Sequence, residues 1–210
     1  MTEETITFSL LGMTGSWYGV FVAWGVLLTL IFFARYCKIE GVRPGTAPLF
    51  AVLAIPLGLL CSRLLFCLLD FRFLGMFSLR AAAMFWGGGF SMVGALLGAA
   101  LAAVLTARIQ RVRPVTLLNI LAASVFFFIC CERIAEQFTE LLGRSRPLTT
   151  DWLANSFLAE FDGYDGLLRT YVLEAVTAAA LAIYMAARVT RRGTVRGCLI
   201  AGMLLLGCTQ

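Results

Sequence analysis

Long apolar runs alternate with short polar stretches along this chain, and the runs lie at about residues 17–33, 47–69, 85–107, 115–131 and 170–187. A helix rises 1.5 Å per residue, so runs of roughly 20 residues match a hydrocarbon core of about 30 Å. The pattern predicts five full membrane spans. A sixth run at 197–208 is too short to cross and is expected to form a partial span. Pro56 interrupts the second run, Gly87-Gly88-Gly89 opens the third, and a mixed polar segment at 132–169 separates the fourth from the fifth. The expected architecture is an all-α polytopic bundle, one membrane domain over 1–210, with 132–169 inserted as a cap. Because a helix severed in lipid leaves carbonyls unsatisfied, the ending at Thr209-Gln210 reads as a piece of a longer protein.

Composition supports the same class. Apolar residues make up 60% of the chain, charged residues 14%, and mean hydropathy is +0.90. A soluble domain carries about 25% charged residues, so a soluble, disordered or collagen-like chain is excluded. Seven cysteines lack a CxxC pair and sit mostly inside apolar runs, where Cys behaves as a small hydrophobe. There is no histidine, which excludes His triads, His metal sites and His proton shuttles. The acidic start MTEETITF has no basic region of the kind that opens a signal peptide.

Charge gives an orientation. Sixteen of the seventeen basic residues are Arg, and the formal net charge is +5. Residues 35–43, 106–114 and 188–196 hold three, three and four basic residues, whereas 132–169 holds seven acids against four Arg. Basic residues gather in cytoplasmic loops. The N-terminus and the 132–169 cap are therefore expected outside, and the basic surplus needs no nucleic-acid partner.

An ionisable side chain within a span is expensive and marks a candidate site. Arg63 stands in the second run, Glu132 and Arg133 directly follow the fourth, and Glu174 lies one turn into the fifth. Snorkelling explains Arg63 equally well, a span-end anchor explains Glu132 and Arg133, and a helix N-terminus explains Glu174. With all of them near the outer surface, two arginines and a carboxylate suggest a site for an anionic headgroup, since the guanidinium fork suits phosphate. In the third run, Gly94-xxx-Gly98 is a small-residue packing face. Gly88, Gly89 and Ser91 at its mouth are instead suited to bringing backbone N–H groups close to a ligand.

These segments together resemble the prolipoprotein diacylglyceryl transferase family, bacterial membrane enzymes that lipidate lipobox cysteines. Trp17-Tyr18-Gly19 opens the first span as a Trp-Tyr-Gly element does in the family, and Arg63 matches a family Arg followed by aromatics. Gly88, Gly89, Ser91, Gly94 and Gly98 keep the pattern G-G-x-S-x-H-G-G-x-x-G, with Ala95 in place of one glycine. The run from Arg133 through Glu140 to Gly143-Arg144 is similar to R-x-G-N-F-x-N-G-E-x-x-G-R with one residue deleted, and Thr170 and Glu174-Ala175 echo P-T-Q-L-Y-E-A. The resemblance covers nearly the whole chain in order. It departs at Val93, where the family has histidine, and at Ala135 and Glu136, where it has Gly-Asn. A further arginine-bearing segment of the family would fall beyond Gln210.

The resemblance implies transfer of a diacylglyceryl group from phosphatidylglycerol to the lipobox cysteine thiol of a prolipoprotein signal peptide. It implies a multi-pass protein of the bacterial plasma membrane, with no cofactor and no metal. Tyr18, Arg133 and Glu140 are then the candidate catalytic residues, with Glu136 a further proton acceptor. Arg63, Gly88, Gly89, Ser91, Gly94, Arg144 and Glu174 are the candidate substrate-binding residues. The missing histidine keeps a second class open, a lipid-binding pseudoenzyme of the same fold. A small-solute transporter is a third class, disfavoured because no inverted repeat is visible.

Overall fold

The computed structural model describes residues 7–10, 13–74, 90–135, 138, 146–147, 159–162, 165–168, 170–198 and 200–201. Five long helices dominate: α1 (Trp17–Ile39), α2 (Thr46–Leu74), α3 (Met92–Gln110), α4 (Pro114–Ala135) and α5 (Thr170–Arg192). Each contains a stretch long and apolar enough to cross a membrane. All five expected apolar runs contain such a helix; several continue into charged turns at their ends, and the third begins at Met92 rather than at 85, because Ser91 caps it, with 85–89 outside the described residues. Pro56 does not break α2, which runs through it for 29 residues, or about 44 Å. Of the last apolar run, Cys198, Ile200 and Ala201 are helical, and 202–210 lie outside the described residues.

Two small antiparallel sheets, which the hydrophobic pattern did not predict, lie outside the spans. Strands β1 (Thr7–Leu10) and β2 (Met13–Ser16) pair with Leu10 opposite Met13 just before α1. Within the 132–169 segment, β3 (Arg146–Pro147), β4 (Ala159–Asp162) and β5 (Asp165–Leu168) form a sheet in the order β3-β5-β4.

The chain divides into two compact units. The first comprises 1–32, 123–191 and 200–210. In it, α1 runs antiparallel to the later part of α4 at close range. A Cβ on Gly25 would stand 2.9 Å from Cys131 Cβ and 3.2 Å from Phe128 Cα. Thr29 donates its hydroxyl to the Ser124 carbonyl at 3.4 Å, and Phe32 stacks on Phe127 with ring centres 3.9 Å apart.

The second unit comprises 33–122 and 192–199 and is organised by α2 packed on α3. The face of α3 that meets α2 is built of small residues at a stride of four. Gly94, Gly98, Ala102 and Thr106 are buried, while Val93, Leu97, Leu101, Leu105 and Ile109 are exposed. A Cβ on Gly94 would come within 2.5 Å of the Cys61 carbonyl oxygen, and one on Gly98 would collide with that of Leu57. Small residues inside and large apolar ones outside suit a bilayer, where tight contact rather than hydrophobicity joins helices.

The turns of this unit are tight. Gly41 ends α1 in the left-handed region (φ +65°), with Val42 N–H bonded to the Cys37 carbonyl. Arg111 ends α3 the same way (φ 54°), with Val112 N–H bonded to that of Ala107. Pro114 then opens α4, where its missing N–H costs nothing. Glu40 receives the Thr194 hydroxyl at 2.7 Å and the Val195 N–H at 2.5 Å, tying the segment after α5 to the α1–α2 turn.

Candidate functional site

In the first unit, the start of α1, the end of α4 and the start of α5 come to one end. The Phe138 ring lies 5.2 Å from that of Phe21 and 6.3 Å from that of Trp17, so the Trp17-Tyr18 element sits beside the segment leaving α4. Tyr18 itself is half-buried. Arg133 stands in the last turn of α4 with its side chain only 6% exposed. Its Nε lies 2.8 Å from Glu174 Oε2 in the early part of α5 and 3.6 Å from Glu132 Oε2. Two carboxylates around one buried guanidinium make a cluster of formal charge −1. A buried charge of this kind requires a partner, because its desolvation is otherwise uncompensated.

The second unit holds the other intramembrane arginine. Arg63 is buried, with its guanidinium carbon 5.8 Å from the centre of the Phe66 ring and 5.9 Å from that of Phe90. That geometry places a cation over two aromatic rings. Beside it, Ser62 donates its hydroxyl to the Ser91 carbonyl at 2.8 Å, and Ser91 N–H donates back to the Ser62 carbonyl at 3.2 Å. The Ser91 hydroxyl accepts from Gly94 N–H at 3.4 Å and caps α3. Ser91 is thus the helix mouth the sequence suggested. Gly94 serves close packing against α2.

Of the four ionisable residues singled out in the sequence, the structure brings Arg133, Glu174 and Glu132 together. Arg63 and Ser91 are neighbours within the second unit. Gly88, Gly89, Glu136, Glu140 and Arg144 lie outside the described residues. Val93, at the family's histidine position, is 56% exposed and begins the outward stripe of α3. Sequence reasoning missed the Glu40 clamp. Its one signal was a lone acid in an otherwise basic loop.

Five apolar spans, a tight small-residue helix pair and a buried arginine ringed by carboxylates at the span ends define a multi-pass membrane protein with an ionic site. The family model for prolipoprotein diacylglyceryl transferase matches residues 5–207, and the chain belongs to that family. A phosphatidylglycerol–prolipoprotein diacylglyceryl transferase of Clostridioides difficile is 27% identical over 109 residues, covering 52% of this chain and 44% of the relative. Another of the same name from Bacillus licheniformis is 27% identical over 120 residues, 57% of this chain and 44% of the relative. One from Limosilactobacillus reuteri is 30% identical over 82 residues, 39% of this chain and 30% of the relative. The matches thus span less than half the length of these curated relatives.

Proposed function

We propose that this chain transfers a diacylglyceryl group from phosphatidylglycerol to the lipobox cysteine of prolipoproteins in a bacterial plasma membrane. The observation that carries the reading is Arg133, a buried guanidinium at the end of a span, in a chain whose family is named for this transfer. We read the chain as one membrane domain with its N-terminus and the 132–169 segment outside.

The chemistry joins the cysteine sulfur to the terminal glycerol carbon of the diacylglyceryl group. The bond from that carbon to the phosphate oxygen breaks, and glycerol phosphate leaves. The thiol proton passes to a basic group or to the departing phosphate, so charge and atoms balance. Arg133 is assigned the phosphate, whose leaving oxygen gains charge as the bond breaks. Within the second unit, Arg63 is assigned anionic lipid together with Gly88, Gly89 and Ser91, and Arg144 is a further candidate for substrate contact. Tyr18 and Glu140 are the candidate proton acceptors, with Glu136 a further one, because the thiolate is the reactive form. Tyrosine, with an ordinary pKa of about 10, is a weak base at neutral pH.

A second reading is a lipid-binding pseudoenzyme. It is favoured by one observation: no histidine exists in the chain, and the residue at the family's histidine position is an outward-facing valine. Complementation separates the two. Expression of this chain in bacteria depleted of their own transferase is expected to restore growth and lipidated lipoproteins. A stably inserted chain that binds phosphatidylglycerol without restoring lipidation would establish the pseudoenzyme.

A further inference from the structure

Arg133 is already holding an anion. Glu174 Oε2 at 2.8 Å from Nε makes the charge-assisted contact that a phosphate oxygen would make. The three members of the cluster are not equally fixed: the side chains of Arg133 and Glu132 are 6% and 8% exposed, whereas that of Glu174 is 34% exposed. With one positive and two negative groups, an incoming phosphodiester meets a cluster of net charge −1. If Glu174 swings out, Arg133 keeps Glu132 as its counter-charge and the remaining pair is neutral. The departing carboxylate regains hydration, so the exchange replaces one anion by another without leaving the buried guanidinium unpaired.

Resting on the reading that Arg133 contacts the lipid phosphate, we propose that Glu174 is an internal competitor of the phosphatidylglycerol phosphodiester. It occupies Arg133 in the empty site and is displaced when lipid binds. Glu174 is then a positioning residue that sets lipid affinity, and it has no part in the bond changes.

The proposal fixes a sign. A purely structural partner of Arg133, once removed, lets the arginine drift, and lipid binds more weakly. Removing a competitor makes lipid bind more tightly. The test is binding of short-chain phosphatidylglycerol to the purified chain in neutral detergent, with diacylglycerol of the same chain length as the uncharged, phosphate-free control and glycerol phosphate as the soluble anion. Glu174→Gln should tighten phosphatidylglycerol binding about threefold or more, the scale of a partly exposed ion pair, and leave diacylglycerol binding unchanged. Glu174→Asp, whose carboxylate is drawn back by one methylene, should tighten it less, and it carries the test if the glutamine variant does not fold. In turnover, KM for the lipid should fall while kcat does not rise.

Unchanged or weaker binding in a folded variant overturns the proposal, as does tightening for glycerol phosphate alone. Arg133→Ala distinguishes the two levels of failure. If it binds phosphatidylglycerol as well as the natural chain does, the reading of Arg133 is wrong. If it binds weakly while Glu174→Gln does not tighten, only the competitor role is lost.

Discussion

Arg133 was visible in the sequence because an arginine directly after an apolar run is conspicuous wherever the chain folds. Its partners were less so. Glu132 is adjacent, but Glu174 follows 41 residues later, and nothing in linear spacing joins the two. Val93 shows the converse: its position in a family motif was legible, but that it faces outward follows only from the packing of Gly94 on α2. Restoring the family's residue there gives a prediction at this scale. General acid–base groups contribute about 10²–10⁴-fold, so Val93→His should raise diacylglyceryl transfer by about tenfold or more, measured with labelled lipid and a lipobox peptide. An unchanged rate would place the proton acceptor elsewhere. Arg111 supplies a second prediction, on stability. A non-glycine residue in the left-handed region costs about 1 kcal/mol, so Arg111→Gly should raise thermal stability in detergent by about that amount.

Helix existence was read from the apolar runs, whereas helix contacts were not. The stride-four set of Gly94, Gly98, Ala102 and Thr106 in α3 was visible in part as a small-residue motif, and it proves to be the contact face with α2. Gly98→Ala puts a methyl against the Leu57 carbonyl, a backbone group that cannot yield, so the helices must part. A loss of about 1–3 kcal/mol is expected, as for other overpacked sites. Leu97→Ala, on the exposed stripe, should stay within about 0.5 kcal/mol. Equal effects on thermal unfolding would contradict the assigned faces. The two small sheets escaped prediction because their strands are four residues or fewer, too short for alternation to show. The Glu40 clamp escaped because it closes across more than 150 residues. Glu40→Ala strands the Thr194 hydroxyl and the Val195 N–H, and should cost about 1–3 kcal/mol if they stay buried.

For the whole molecule, composition alone gave the class, since a chain 60% apolar needs a lipid surround. The five spans followed from run length, and the proposed orientation rests on the alternation of arginine counts. Orientation is checked by labelling a single cysteine at Ser145 on a cysteine-free background; labelling is expected from the extracytoplasmic side, and labelling only from the cytoplasm would invert the topology. Family membership needed the motifs, none of which is distinctive alone. The claim on which the account depends is that a buried arginine at the end of α4 holds the lipid phosphate during transfer to a thiol. The direct measurement is the rate at which the purified chain, in phosphatidylglycerol vesicles, moves labelled diacylglycerol onto a lipobox peptide, compared with Arg133→Ala. The account predicts thioether-linked lipid on the natural chain's peptide and at least a tenfold lower rate for the variant, the scale of a lost charge-assisted contact. Equal rates for the two proteins would contradict it.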